Sequence, residues 1–479
     1  MLFNSYSFVF LFLPVVIVIF FIIARGAKQL AALWLGVASL FFYGWWNPQF
    51  VLLLISSIIF NFFISNMIAE TLTKKKSLIQ AKTILIIAIS SNLFVLGYFK
   101  YADFFISSAN SFANQHWVLL HITLPLGISF FTFTQISFLV DVYRNQAREY
   151  SFIHYLLFVT YFPHLIAGPV LHHKQMMPQF AKMETYQLNI ANINQGLTIF
   201  TFGLIKKVII ADKFAAYANP VFSPQNLSVQ LDFYTAWIGS LAYTLQLYFD
   251  FSAYSDMAIG LSLLFNIKLP ANFNSPYKAI NIIEFWRRWH ITLSAFLKDY
   301  VYIYLGGNRR GFVRWYVNLF LTMLIGGLWH GANWTFVLWG GLHGAYLIIN
   351  HLWQALSDRF QFPSVYGSRV FSRLLTFLAV VFAWVLFRAD SVEVACNIIT
   401  SMLSINSLGK LPDSGLKSQL MWLFLGLFIV WFMPNVQQII KTMEHKVYSS
   451  RVNGALVGVL LLIAILSFTK TSPFIYFQF

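Results

Sequence analysis

Three apolar runs, Ser7–Ala24, Phe50–Ala69 and Thr83–Phe99, carry no charged residue at all. A helix crossing the ~30 Å hydrocarbon core of a bilayer needs roughly 17–25 such residues, so each run is long enough to span. Within lipid every backbone N–H and C=O must be satisfied inside its own segment, which leaves only helices and closed barrels. Runs this long and continuously apolar select helices, so the chain reads as an all-α, polytopic transmembrane bundle. Composition agrees. Of 479 residues, 58% are hydrophobic and only 10% charged, and mean hydropathy is +0.67. A soluble protein of this size needs far more charge to cover its surface. We therefore expect a single membrane-embedded domain over residues 1–479.

The formal net charge of +16 sits in short loops between apolar runs, a pattern of topology control and anionic-lipid contact rather than nucleic-acid binding. Met1–Ser7 carries no positive charge, whereas Arg25 and Lys28 follow the first run. That asymmetry predicts a retained span, not a cleaved leader, with the N-terminus outside. Leu30–Trp46 then runs outward to Asn47-Pro48, and Phe50–Ala69 returns to Lys74, Lys75, Lys76 and Lys82. Thr83–Phe99 goes out, and Ile122–Val142 comes in to Arg144 and Arg148.

Beyond this point the pattern becomes irregular. Apolar stretches at Tyr155–Val170, Leu197–Ile210, Tyr234–Phe249, Met257–Ile267, Val317–Trp329 and Trp334–Ile349 vary in length and are broken by Gly, Pro and charge. Phe371–Phe387, Leu420–Met433 and Leu456–Phe468 look regular again, and Val392–Ser404 reads as an interfacial helix. The ~20-residue criterion gives about eleven spans plus re-entrant helices. Irregular backbone at membrane depth survives only where protein or a wet cavity surrounds it. The centre, 120–350, is thus expected to build a cavity as a catalytic core region, with 1–119 and 351–479 as scaffolding helices.

Ionisable residues in such a centre are costly and therefore candidates for function. His330 stands in Gly326-Gly-Leu-Trp-His-Gly-Ala-Asn-Trp334. Its neutral imidazole can take a proton from a hydroxyl, or it can simply bond a backbone carbonyl. His290 closes Glu284-Phe-Trp-Arg-Arg-Trp-His290, a site residue or the end of an interfacial helix anchored by basic and Trp side chains. Asp250 and Asp256, around Ser252-Ala-Tyr-Ser255, can orient a histidine, bind substrate hydroxyls, or satisfy exposed helix ends. Tyr254, Trp289, Trp329 and Asn333 accompany these groups as substrate or tunnel residues. His343 lies on an apolar helix, where packing explains it.

His172 and His173 follow Pro169. Adjacent histidines point apart on a helix and no carboxylate or cysteine accompanies them, so they read as a solvated loop and no metal site is expected. The lone cysteine, Cys396, rules out a disulfide within the chain. Motifs of metalloproteases, serine hydrolases, ATPases and dinucleotide enzymes are missing from the sequence.

These residues resemble the membrane-bound O-acyltransferase (MBOAT) superfamily, and within it the bacterial branch of alginate O-acetylation. Teichoic-acid D-alanyl transfer proteins are more distantly similar. The matching segments are Met1-Leu-Phe-Asn-Ser-Tyr6, Leu124-Pro-Leu-Gly-Ile-Ser-Phe-Phe131, Phe162-Pro-His-Leu-Ile-Ala-Gly-Pro169, Phe249-Asp-Phe-Ser-Ala-Tyr-Ser-Asp-Met257, Phe285-Trp-Arg-Arg-Trp-His-Ile-Thr-Leu-Ser294, Asp299-Tyr-Val-Tyr-Ile-Tyr-Leu-Gly-Gly-Asn308, Gly327-Leu-Trp-His-Gly-Ala332 and Phe474-Ile-Tyr-Phe-Gln-Phe479. Ala253 replaces a usual Gly and Tyr304 a common Pro. The resemblance implies a helical fold with a central funnel or tunnel, His330 as the catalytic histidine and His290 as a second one facing it.

The expected reaction moves an acyl group, acetyl foremost, from a cytoplasmic thioester to a hydroxyl of an extracytoplasmic polysaccharide, directly or through a periplasmic partner protein. His330 would remove the proton, and His290, Asn333 or a backbone N–H would stabilise the oxyanion. Arg287, Arg288, Lys298, Arg309 and Arg310 would attract a phosphate-bearing donor such as acetyl-CoA, or anchor the chain to the inner leaflet. No bound cofactor is expected. The location is a bacterial inner membrane, with lipid as surroundings. The alternatives are D-alanyl transfer to an envelope polymer, or a transporter or flippase, whose inverted repeat is not visible in the sequence.

Overall fold

The computed structural model describes the chain except residues 75–77, 150, 167, 224–230, 361–368, 405–414, 447–450, 469–471 and 476–479, and except the side chains of 443–446 and 451–453. Among the described residues every extended element is a helix. Five helical stretches are long and apolar enough to cross a membrane: Ser7–Ala24, Gln49–Thr73, Leu78–Ala113, Phe312–His330 and Arg369–Arg388. Leu416–Phe432 and Val436–Thr442, bent by 54°, form a sixth if counted as one broken span. Shorter apolar helices include Ile128–Tyr143 and Val392–Leu403. The latter starts where Ser391 Oγ accepts the Val394 N–H at 3.2 Å, an ordinary helix cap. Leu52, Phe63, Phe94 and Val313 are exposed on their helices, as expected of side chains that face lipid tails rather than water.

The chain forms two compact units. The first comprises Met1–Leu204, Tyr254–Pro270 and Val447–Pro473. Its long helices are tied by buried amides: Asn61 and Asn92 exchange hydrogen bonds at 3.0 and 2.7 Å, and Gln135 Nε2 donates to Ser57 Oγ at 2.9 Å. In an apolar setting such reciprocal pairs hold helices in register. Around Phe8 the rings of Phe3, Phe42 and Phe162 pack within 6.1 Å, centre to centre. Asp141 also lies here, and it corrects one expectation. A carboxylate does accompany His172 and His173, with Oδ2 3.0 Å from a ring nitrogen of each. The two histidines converge because His172 is an extended N-cap (φ −87°, ψ 137°) and only His173 is helical.

The second unit comprises Ile205–Ala253, Ala271–Lys446 and Phe474–Phe479. Its core is an aromatic wall in which Trp289 packs against Phe285 at 5.7 Å and Trp384 at 4.8 Å, and Trp339 stacks on Trp384 at 5.7 Å. Two polar bonds fix this wall. The Tyr277 hydroxyl donates to the Thr244 carbonyl at 2.7 Å, and Trp384 Nε1 donates to the Tyr277 oxygen at 3.2 Å. Beside it, Phe312–His330 and Trp334–Phe360 make a helical hairpin. Its halves approach so closely that a Cβ on Gly327 would overlap the Phe336 carbonyl oxygen, and one on Gly340 the Met323 carbonyl oxygen. Glycine is therefore required at both positions to let the two backbones meet.

Candidate active site

His330 is the last residue of Phe312–His330, where the chain leaves the helix through an extended Gly331 (φ −160°, ψ 152°). A Cβ on Gly331 would run into the Phe336 ring, so this glycine sets how tightly the hairpin turns beneath the imidazole. The ring of His330 is buried and boxed by Trp329 at 5.0 Å, Trp339 at 5.1 Å and Phe387 at 5.1 Å, all near edge-on.

His290 sits between the short helices Ile282–Arg288 and Ile291–Phe296 with a left-handed backbone (φ 41°, ψ 54°). L-residues other than Gly, Asn and Asp rarely adopt this conformation, and it costs roughly 1–2 kcal/mol. The ring is fully buried, edge-on to Phe251 at 4.8 Å and 6.1 Å from Trp329. Its centroid lies 6.3 Å from that of His330. The fold thus brings together two imidazoles that are well separated in sequence.

Asn272, which no motif marks, determines the state of His290. Its Oδ1 accepts the Thr292 N–H at 3.2 Å and the Thr292 hydroxyl at 2.9 Å. The backbone donor identifies that amide atom as the oxygen, so His290 Nδ1, 3.2 Å away, must be the protonated nitrogen. Neutral His290 then carries its lone pair on Nε2. The Asn272 carbonyl also accepts the Ile291 N–H at 3.0 Å. One amide residue therefore holds the strained turn and selects the tautomer.

The other predicted residues are distributed unevenly. Trp329 and Trp289 line the aromatic wall around the histidines. Asp250 pairs with Lys207 at 2.7 Å and accepts the Ile475 N–H at 2.9 Å; Lys207 also meets Asp212 at 2.9 Å. Asn333 caps the helix Trp334–Phe360: its Oδ1 accepts the Thr335 N–H at 3.1 Å and its Nδ2 donates to the Asp390 carbonyl at 2.8 Å. Tyr254 and Asp256 are buried in the first unit, where Tyr254 stacks on Phe3 at 4.9 Å. His343 is buried and accepts the Trp286 indole N–H on Nδ1 at 3.3 Å, with Phe285 stacked on it at 6.1 Å.

Of the basic residues, Arg287, Lys298, Arg309 and Arg310 are exposed. Arg288 is committed to Glu284, with Nε and Nη2 at 2.9 and 2.7 Å from Oε1. Partial burial pushes the Glu284 carboxyl up, but the Ile280 N–H and the Arg288 guanidinium together hold it below its ordinary value.

Residues 114–388 match the membrane-bound O-acyltransferase family, MBOAT. A peptidoglycan O-acetyltransferase of Helicobacter pylori is 45% identical over 433 residues, covering 85% of this chain and 80% of the relative. Probable alginate O-acetylases are similar too: that of Pseudomonas aeruginosa at 45% over 85% of this chain and 76% of its own, and that of Pseudomonas putida at 39% over the whole of both. The chain belongs to the membrane-bound O-acyltransferase family. It is a multi-pass membrane enzyme that transfers an acyl group from a donor to a hydroxyl.

Proposed function

We propose that this enzyme moves an acetyl group from a cytoplasmic thioester, acetyl-CoA, to a hydroxyl of an extracytoplasmic cell-envelope polysaccharide. The carrying observation is the buried pair of imidazoles at 6.3 Å, one of them tautomer-locked by Asn272. The names of the relatives, a peptidoglycan O-acetyltransferase and alginate O-acetylases, favour acetyl as the group and a glycan as the acceptor.

In this reading His330 is the general base. The acceptor oxygen attacks the thioester carbonyl carbon while His330 takes its proton. The tetrahedral intermediate expels the CoA thiolate, which receives that proton from the imidazolium and leaves as the free thiol. Neutral His290 presents a lone pair on Nε2, so it cannot donate to the oxyanion. Its role is to orient the glycan by accepting from a neighbouring hydroxyl, and a backbone N–H serves the oxyanion. Trp289, Trp329, Trp339 and Phe387 keep water from the thioester. Asn333 and Asp250 support the site from behind, as helix cap and charge clamp.

Arg287, Lys298, Arg309 and Arg310 attract the phosphates of the donor from the cytoplasm. The enzyme sits in a bacterial inner membrane with its N-terminus outside, and passes the acetyl group on directly or through a periplasmic acyltransferase partner. The test is consumption of labelled acetyl-CoA by purified protein given envelope polysaccharide. His330→Ala should lower the rate by at least about 10²-fold, the usual contribution of a positioned base, with the melting curve preserved. An unchanged rate would remove His330 from the chemistry.

A further inference from the structure

His172, His173 and Asp141 belong to no step of the acyl transfer, yet they form a set of metal-type donors in the first unit. His172 Nε2 and His173 Nδ1 each lie 3.0 Å from Asp141 Oδ2. The three donor atoms fall within 4.8 Å of one another. The two rings are 4.6 Å apart, turned to one side by the switch from extended His172 to helical His173. Asp141 and His173 are buried, while 28% of the His172 side chain is exposed, which leaves a way in.

A second observation concerns protons. His173 Nε2 is 3.2 Å from the Gln146 carbonyl oxygen. A carbonyl can only accept, so Nε2 carries the hydrogen, and in neutral His173 the unprotonated Nδ1 lies 3.0 Å from a carboxylate oxygen. Among the described residues that buried Nδ1 has no hydrogen-bond partner. Two acceptors 3.0 Å apart repel unless a positive species joins them. A bond from the other ring nitrogen to a backbone carbonyl is also what orients a metal-ligating histidine and raises its basicity. His172 Nδ1 receives the Lys174 N–H only at 3.4 Å, near the outer limit of a hydrogen bond. Moving the His172 proton from Nε2 to Nδ1 therefore sacrifices little.

We propose that Asp141, His172 and His173 bind one divalent transition-metal ion, with zinc the best match to two imidazoles and a carboxylate. Tetrahedral bonds of ~2.1 Å place donors about 3.4 Å apart, so the two 3.0 Å contacts to Asp141 need to open by only a few tenths of an ångström. Water takes the fourth position. The ion fastens the start of His173–Ala181 to the end of Ile128–Tyr143. Binding needs His172 in the tautomer that bares Nε2, with its proton on Nδ1.

The experiment uses untagged, full-length protein in detergent, stripped with a chelator, incubated with zinc chloride and desalted before metal is counted by mass spectrometry. Wild type should hold one zinc per chain and melt at a higher temperature with zinc than without. His173→Ala and His172→Gln should each hold close to none, whereas His330→Ala should keep one. His172 is partly exposed, so His172→Gln remains informative if His173→Ala fails to fold. Equal zinc in wild type and His172→Gln overturns the proposal. So does a wild-type melting temperature indifferent to zinc.

Discussion

A single amide, Asn272, ties together His290 and Thr292 at the turn between two short helices. Replacing it with Leu removes the acceptor shared by His290 Nδ1, the Thr292 N–H and the Thr292 hydroxyl. Leaving buried donors unpaired costs about 1–3 kcal/mol each at most sites. Asn272→Leu should therefore lower the melting temperature and reduce kcat more than it raises the KM for acetyl-CoA, because the thioester site is left in place. A pure KM effect would argue that His290 has no part in turnover. The sequence made both histidines visible, since an ionisable group inside an apolar stretch demands a reason. It could not reveal Asn272, because an asparagine after Pro270-Ala271 looks like any loop residue until the chain folds over it. Asn333 shows the converse: its setting beside His330 suggested contact with substrate, while its side chain serves the helix that follows.

At the scale of elements, the hairpin of Phe312–His330 and Trp334–Phe360 aims His330, the proposed base. Its closeness depends on backbone meeting backbone at Gly327 and Gly340. A side chain at either position strikes a carbonyl oxygen, which no rotamer change can move aside. Gly327→Leu and Gly340→Leu should each destabilise by at least the 1–3 kcal/mol typical of overpacking and abolish activity. Gly341→Ala provides the contrast: its Cβ would meet only the Leu324 and Phe320 side chains, at 3.6 and 3.7 Å, and should melt and turn over like wild type. The comparison is read by thermal unfolding in detergent alongside acetyl transfer. Long apolar runs made the spans at Ser7–Ala24, Gln49–Thr73 and Arg369–Arg388 legible. The short helices flanking His290 were not, because Glu284 through His290 has neither the length nor the periodicity of a span and takes its shape from a left-handed turn. The adjacent histidines at 172 and 173 were misread for a similar reason: a helix boundary falls between them.

Over the whole molecule, charge is the property that sequence and structure describe together. Arg309 and Arg310 are exposed cations, and removing both by Arg→Gln substitution should raise the KM for acetyl-CoA, flatten its dependence on ionic strength and leave kcat nearly unchanged. No change in the salt dependence would assign them to lipid contact alone. Lys207, Asp212 and Asp250 are the opposite case, a charge cluster taken inside. Asp250→Asn strips a buried lysine of one partner and should cost on the order of 3–5 kcal/mol, seen as a large loss of folded protein in detergent. The Ile475 N–H that completes this cluster lies 225 positions along the chain from Asp250, and Lys207 Nζ lies 5.1 Å from the centre of the Phe474 ring. A ribosome must lay down that entire stretch before the amide arrives. Until then the half-made protein holds its lysine and aspartates without their final ligand, the stage at which a quality-control protease or an insertion chaperone would find the nascent enzyme most open to attack or rescue.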